Sequence, residues 1–397
     1  MIQVTLKLPI QADVEITASL HSTIRTYTES FNRVAKVGWG MKRVNGVELH
    51  KLVYYPEREA SGLPSQLVCS VQRKAIEAVK SGKTKLRKGK KASCPESKCQ
   101  AIRYDVNSAT VKLQAGYATL ATINGRVRVE FKVPKVFQDR IAWKVCSSDL
   151  WKDPRNGRLF LCVVVETKEP EVVSTDKVVG VDLGVNRPAV TSNNQFFGKR
   201  QWKEIEVRTA RLKRALQAKG TKSAKRHLKL LGRKVNGFRK DCDHVISKKL
   251  IENCSKGATI VLEDLTDIRS RVKARKQQRR RIHSWSFARL QAFLAYKAAM
   301  KGVNVAYIDP RYTSQKCSVC GHTEKANRKN QASFVCKKCK FSLNADLNAA
   351  RNIRQNHIAN LAKRIASGLC VNQPNVSSEV KKFDSLGTSL HPCGGGY

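Results

Sequence analysis

Alternating apolar and polar positions open the chain. Residues 3–8 alternate in this way, and we predict an edge strand or two over 1–17. From 18 to 35 the apolar residues recur three and four positions apart, which predicts a helix, and a second helical stretch follows over 67–79. The basic run at 83–91 is either a solvated loop or a loop that contacts phosphate.

Short strand-like runs replace the helical pattern between 102 and 167. They cover 102–105, 110–113, 126–131 and 160–165, and turn residues such as Asn156-Gly157 separate some of them. We predict a small β-barrel formed by 1–17 and 101–172. Residues 18–100 then form a helical insertion after its first strand.

The pattern changes again near Thr175, where buried strands and helices take turns. Apolar strand-like runs cover 176–185, 188–191, 259–265 and 303–309, which predicts an α/β domain. The basic stretch 203–255 has helical periodicity, and Gly232 and Gly237 indicate breaks that would make it a helical hairpin. An amphipathic helix is predicted over 285–300.

Charge narrows the class of partner. The net charge of +45 and the pI near 10.2 would make the compact chain repel itself, unless a polyanion such as nucleic acid accompanies it. A basic membrane-surface protein is the alternative, but the basic residues are spread along the chain and no window has about eighteen apolar residues. We see no signal peptide, and thirteen cysteines without one indicate a reducing intracellular compartment.

Four cysteines form two knuckle-like pairs. Cys317 and Cys320 are followed, after fifteen residues, by Cys336 and Cys339. Two such pairs supply the four thiolates of a tetrahedral zinc site, and we predict one structural Zn²⁺ there. Cys94 and Cys99 could be a further knuckle, but with no second pair near them in the sequence we favour ordinary thiols.

Three carboxylates lie at the ends of predicted strands or at the start of a predicted helix. Asp182 and Glu263 each end an apolar strand, and Asp346 begins a helical run. Side chains at the ends of adjacent strands of an α/β sheet converge at one edge. Three carboxylates there would bind two Mg²⁺ ions, which prefer oxygen ligands and can promote phosphodiester cleavage. Asp264 and Asp267 compete with Glu263. We choose Glu263 because it directly ends the apolar run, and Asp264 should point to the other face if the strand continues.

Five motifs carry a resemblance to a known family. They are GVDLGVN, IVLEDL, DPRYTSQKCSVCG, FVCKKC and NADLNAARNI, within about 177–355. In order and spacing they resemble the split RuvC nuclease of the transposon-encoded TnpB proteins, close relatives of the smallest type V CRISPR effectors. Residues 1–170 are similar more loosely to the other half of that family.

The resemblance implies a domain order. A wedge β-barrel (1–17 and 101–172) would carry the helical recognition insertion. A ribonuclease-H-like nuclease domain would comprise 173–310 and 346–366. A zinc-binding, target-nucleic-acid-binding insertion would occupy 311–345, and 367–397 would be a disordered tail.

The resemblance also implies an activity. The chain would be an RNA-guided DNA endonuclease that cuts next to a short target-adjacent motif, with Asp182, Glu263 and Asp346 as its catalytic acids. Guide RNA and target DNA would be its partners, and we expect a nucleoid-associated monomer of the prokaryotic cytoplasm, with a dimer as the alternative. A transposase that acts without RNA and a regulator with an inactive nuclease are the competing interpretations.

Two basic features remain open. The run 269–281 is either a loop that neutralises nucleic-acid phosphates or a solvated surface loop. Arg311 could contact a scissile phosphate, or it could be an ordinary surface residue, so we leave it out of the catalytic set.

Overall fold

The computed structural model describes residues 1–171, 175–184, 187–266, 268, 287–330 and 332–367. The chain divides into two compact units, and the boundary falls between residues 168 and 169. The basic run predicted at 269–281 lies outside the described residues, as does all of the predicted tail except Ser367.

The first unit contains a seven-stranded antiparallel sheet that forms a nearly closed barrel. Its order is β2-β6-β7-β1-β5-β4-β3. The strands are β1 (Ile2–Gln11), β2 (Ile102–Tyr104), β3 (Ala109–Lys112), β4 (Tyr117–Thr122), β5 (Gly125–Phe131), β6 (Lys144–Lys152) and β7 (Leu159–Thr167).

The prediction that β1 is an edge strand was wrong. It pairs with β7 on one side and with β5 on the other, so it lies inside the sheet. Leu6 and Leu8 are fully buried in the core. On the opposite face the Lys7 ammonium lies 3.9 Å from the ring centroid of Trp151 and 4.1 Å from that of Phe160. Of the polar positions of β1, Lys7 is therefore covered by aromatic rings, whereas Gln3 stays exposed.

Three helices pack on the barrel core in this unit. They are α1 (Val14–Gly40), α2 (Gly46–Ser61) and α3 (Ser65–Arg87). Helix α1 begins earlier than its apolar pattern because the Asp13 carboxylate caps it, accepting a hydrogen bond from Ile16 N at 2.7 Å. Helix α2 was not predicted individually. Only Leu49, Val53 and Glu57 along it are buried, and two apolar positions are too few to show a helical periodicity.

The second unit contains a five-stranded sheet in the order β10-β9-β8-β11-β12. Strands β8, β11 and β12 are parallel, and β9 runs antiparallel to β8. The strands are β8 (Val178–Asp182), β9 (Ala189–Thr191), β10 (Phe196–Phe197), β11 (Thr259–Glu263) and β12 (Asn304–Ile308). This mixed order, with the first strand in the middle, is the sheet expected for a ribonuclease-H-like domain.

A long hairpin, α4 (Arg200–Lys219) and α5 (Lys222–Glu252), connects β10 to β11. The predicted breaks at Gly232 and Gly237 were wrong: both glycines lie inside α5, and the turn is at Gly220, where φ is +64°. A glycine costs a helix only about 1 kcal/mol. Leu231 and Val235 pack into a small apolar cluster beside these glycines, and this burial outweighs the cost.

Helix α6 (Phe287–Lys301) packs on α5 and leads into β12. The cysteine-bearing insertion follows, with the antiparallel strands β13 (Ser333–Val335) and β14 (Ser342–Asn344). Helix α7 (Ala345–Ala366) closes the unit against β8. Among the described helices we find none with the length and apolar character needed to cross a membrane.

Candidate functional site

Two predicted acids meet at one edge of the second sheet. Strands β8 and β11 are parallel, and Val181 lies opposite Leu262 in their register. The next residue along each strand is therefore a carboxylate, Asp182 on β8 and Glu263 on β11. Glu263 is only 8% exposed, and Asp182 is half-buried.

Gly180 explains how the third acid joins them. A Cβ atom at this position would lie 2.2 Å from Ala350 O and 2.6 Å from Arg354 N, so only glycine lets α7 lie this close to β8. Asp346 is one helical turn before Ala350, and Asp182 is on the same strand face as Gly180. The close approach therefore brings Asp346 toward Asp182.

We call these three residues the carboxylate cluster, and the pKa of each of their carboxyl groups is raised. Burial, and then the charges of Glu263 and Asp346, raise the pKa of Asp182 well above its usual value. Burial also raises the pKa values of Glu263 and Asp346, although nearby arginine charge opposes this. Like charges held together in a buried place favour protonation or bound cations. The cluster therefore has the electrostatics of a cation site.

Arg328 is a cation that the sequence did not single out. Its Nη2 donates to Asp346 Oδ1 at 3.3 Å, and its charge lowers the pKa of all three acids. The residue belongs to the insertion that carries the cysteines. A guanidinium so placed offers donors that suit phosphate oxygens.

Other acidic and basic candidates have different contacts. Asp264 is exposed and its Oδ1 accepts a hydrogen bond from Thr266 N at 2.9 Å, consistent with the choice of Glu263. Arg311 is exposed and its Nε lies 3.6 Å from Asp309 Oδ2.

The four cysteines form a compact group, which we call the cysteine cluster. All four Sγ atoms lie within 4.8 Å of one another, with Cys317 and Cys339 3.7 Å apart and Cys320 and Cys336 3.6 Å apart. Tetrahedral zinc with Zn–S bonds of about 2.3 Å separates its sulfurs by about 3.8 Å. The thiols therefore fit a structural zinc ion.

Local structure builds this cluster. Each knuckle closes with a backbone bond, from Gly321 N to Cys317 O at 3.0 Å and from Lys340 N to Cys336 O at 3.0 Å. Lys340 has a positive φ of 61° and Gly321 one of 74°, as tight turns require. Cys94 and Cys99 are in the other unit, and in the part of the chain that the structure describes only the four clustered cysteines form a metal-type group.

Two family models match parts of the chain between residues 160 and 353. One, described as the Cas12f1-like TNB domain, matches residues 287–353, and the other, described as a probable transposase, matches 160–269. The first spans α6, the cysteine cluster and the start of α7, and the second runs from β7 through β11. Together they cover all three members of the carboxylate cluster.

Curated proteins give the same relationship. The chain is 33% identical to the CRISPR-associated endodeoxyribonuclease Cas12f1 of Sulfoacidibacillus thermotolerans over 59% of each chain. It is 30% identical to the putative RNA-guided DNA endonuclease InsQ of Escherichia coli K12, over 50% of this chain and 53% of that one. It is 39% identical to a TnpB-like protein of Methanocaldococcus jannaschii, over 32% and 47%. The alignments thus span about half the length of these relatives.

Solved structures show the same fold. A cryo-EM structure of a Cas12f1–sgRNA–target DNA complex superposes with a TM-score of 0.62 and 16% identity, covering 86% of this chain and 83% of that one. A CasPhi-2 (Cas12j) structure bound to crRNA gives 0.54 with 11% identity, over 89% and 98%. The predicted fold class is confirmed, as is the resemblance to the TnpB family: the chain is a relative of TnpB-like proteins and Cas12f1 effectors.

Proposed function

We propose that this chain is an RNA-guided DNA endonuclease that cuts DNA beside a short target-adjacent motif by hydrolysing phosphodiester bonds. The observation that carries this proposal is the convergence of Asp182, Glu263 and Asp346 at one sheet edge, with Arg328 beside them. A metal-dependent nuclease needs such a group of oxygen ligands. The related TnpB-like and Cas12f1 proteins support the choice of substrate.

Asp182, Glu263 and Asp346 would supply the carboxylate ligands for two Mg²⁺ ions at the carboxylate cluster. Its fit rests on the chemistry of the donors, which are three carboxylates whose pKa values are raised mainly by burial, against the opposing charge of Arg328. Bound divalent ions would activate water and stabilise the leaving oxygen. The chain's own part is to hold the three acids rigidly and to offer Arg328 to a phosphate oxygen at the same edge.

The cysteine cluster would hold one Zn²⁺ as a structural ion. Four protein thiolates fill a tetrahedral site and leave no position for substrate, so this site organises the insertion and takes no part in hydrolysis. Because an unfolded chain offers no preformed site, zinc binding would also contribute to the folding free energy of the insertion.

Guide RNA and target DNA are the proposed partners. The net charge of +45 suits a chain that contacts phosphates along most of its length. In such a complex base pairing reads the sequence and the protein holds backbone and shape. We propose that the barrel and helices of the first unit act as the wedge and recognition domains, and that the chain works as a monomer.

A transposase that acts without RNA is the second candidate. The description of the model that matches 160–269, a probable transposase, favours it. The same three acids would serve either reaction, so the residues of the cluster do not distinguish the two. The presence of a guide RNA does.

Purification with bound nucleic acid tests the proposal. RNA that copurifies with the protein would be sequenced, and the complex would be assayed on plasmids that carry a matching target beside a randomised flank. We expect one discrete structured RNA and cleavage only at matching targets. Cleavage that needs no RNA would favour the transposase, and absence of cleavage with bound RNA would favour a regulator.

A further inference from the structure

Thr313 connects the carboxylate cluster to the insertion that carries the cysteine cluster. It is 2% exposed, and its hydroxyl donates to Glu263 Oε1 at 2.6 Å. The same Oγ1 lies 3.0 Å from Pro310 O, but a hydroxyl has one proton, and the shorter bond to a carboxylate is the stronger. Thr313 therefore fixes one oxygen of Glu263. Only three residues separate it from Cys317.

Two fully buried asparagines of α7 hold the segment between Thr313 and the first cysteine. Asn352 Nδ2 donates to Thr313 O at 2.8 Å and to Lys316 O at 2.6 Å. Asn348 Nδ2 donates to Lys316 O at 2.8 Å. The two asparagines are four residues apart, so they share one face of α7, the helix that begins beside Asp346.

Packing alone would not select these amides. Asn352 Oδ1 is buried and has no hydrogen-bond partner among the described residues, which destabilises the fold. An apolar residue of similar size would avoid this cost. The amide is instead retained where it fixes the backbone on both sides of the segment, which points to a positioning role.

A second link leads from the cysteine cluster to Asp346. Asn327, fully buried within the insertion, donates to Gln315 O at 2.9 Å and accepts from Lys337 N at 2.8 Å. It thereby joins the segments that carry the two knuckles. The next residue is Arg328, whose guanidinium reaches Asp346. Two of the three acids thus receive a hydrogen bond from the cysteine-bearing insertion.

We propose that Thr313 is a positioning residue for Glu263, and that through it and Arg328 zinc occupancy of the cysteine cluster sets the affinity of the carboxylate cluster for divalent cations. This rests on the proposed function, because it takes the carboxylates as a cation site. Groups that orient metal ligands change metal affinity by about 10–100-fold when removed. By linkage, cation binding then strengthens zinc binding by the same factor.

Mn²⁺ binding to the full-length, zinc-loaded protein tests the proposal by calorimetry or electron paramagnetic resonance. Thr313→Val keeps the shape of the side chain and removes its hydroxyl. We expect this variant to bind Mn²⁺ about 10-fold or more weakly, and Thr313→Ser to restore the affinity. Asp264→Asn, next to Glu263 but outside the cluster, is the matched control and should bind as the unmodified protein does.

Zinc affinity supplies a second readout, measured by competition with a zinc-selective dye. Saturating Mn²⁺ should tighten zinc binding in the unmodified protein. The ratio of zinc affinities with and without Mn²⁺ should equal the ratio of Mn²⁺ affinities with and without zinc. It should tighten zinc binding less in Thr313→Val. The effect of Mn²⁺ on zinc affinity is measured on the unmodified protein, so the proposal can still be tested if Thr313→Val folds poorly.

The outcomes separate this inference from the proposed function. Equal Mn²⁺ affinity in Thr313→Val and the unmodified protein, with zinc affinity independent of Mn²⁺, would overturn the link while the carboxylate site stands. Mn²⁺ binding that survives Asp182→Asn unchanged would overturn the proposed cation site, and the inference with it.

Discussion

The cysteine cluster and the carboxylate cluster both gather side chains that suit a metal ion, but they are assembled differently. The four cysteines lie between residues 317 and 339, in two tight turns closed by their own backbone bonds. The three carboxylates lie between residues 182 and 346, at the ends of two strands and the start of a helix. One site is built by local geometry, and the other exists only once a whole domain has folded.

Their electrostatics differ as well. The four thiols share their protons unequally. At Cys339 a backbone hydrogen bond lowers the pKa, but burial and hydrogen bonds with the other three cysteines outweigh it and raise the pKa. At Cys336 burial raises the pKa, but hydrogen bonds from Cys339 and neighbouring groups outweigh it and lower the pKa to about 6. A thiol of this kind is ready to lose its proton to a metal. Burial instead raises the pKa of all three carboxylates, so the fold holds these acids in an unfavourable place. A site kept against such a cost indicates function more than stability.

The largest expected effect is the loss of cleavage when one carboxylate is neutralised. Asp182→Asn, Glu263→Gln or Asp346→Asn should each lower cleavage by at least about 10³-fold, equivalent to about 4 kcal/mol. Binding of RNA and of target DNA should remain nearly intact, since these buried acids offer little contact to a nucleic-acid backbone. Single-turnover cleavage and filter binding measure the two quantities.

The matched control is Asp264→Asn, at the same sheet edge. Asp264 is exposed and caps a turn, which asparagine can also do, so cleavage should stay within about 2-fold. If a variant of any one residue of the carboxylate cluster cleaved DNA as well as the parent, that residue would be removed from the catalytic set.

The next effect breaks the local site. The unmodified protein should hold about one zinc ion per chain. Cys317→Ser or Cys339→Ser should abolish this zinc binding and lower the midpoint of thermal unfolding. The exposed Cys99→Ser is the control and should keep both. Metal analysis of protein purified without chelator, with calorimetry, checks this. Protein with unsubstituted cysteines that holds no zinc would contradict the assignment.

A change at Gly180 should break the non-local site through packing alone. Gly180→Ala would press a Cβ atom against the backbone of α7 and should cost about 3 kcal/mol of unfolding free energy, with weaker cleavage. Gly232→Ala, inside α5 with open space around it, should stabilise the protein by up to about 1 kcal/mol. Urea unfolding of both variants compares the signs, and a similar stability for the two would refute the packing argument.

The smallest effect concerns pH. The folded pKa of Asp182 is raised above its unfolded value, so the folded state binds more protons, and stability without divalent cations should fall as pH rises from about 4 through the folded pKa. Asp182→Asn should weaken this fall and stabilise the cation-free protein at neutral pH by roughly 1.4 kcal/mol per unit of pKa difference removed. Unfolding midpoints between pH 5 and about 8, in buffer free of both divalent salts and chelators, test this. A variant that is less stable than the parent at neutral pH would contradict it.

The sequence by itself determined the features that depend on neighbours along the chain. The spacing of the four cysteines was sufficient because a two-residue gap closes a knuckle by itself. Apolar runs located β8, β11 and β12, and the signal is clearest for β11, where four of the five residues are buried and the strand must be almost continuously apolar. The motif match to the TnpB family added the order of these parts.

The tertiary structure decided the features that depend on distant contacts. That β1 lies inside its sheet follows from two partners far along the chain, and the continuity of α5 follows from packing against the rest of the hairpin. The sequence gives no local signal for Arg328 or Thr313, since each matters only for the acid it reaches across the fold. The close approach at Gly180 likewise exists only after α7 has docked. Glycine is required there because a side chain would clash with the backbone of α7, a contact that the local sequence does not reveal.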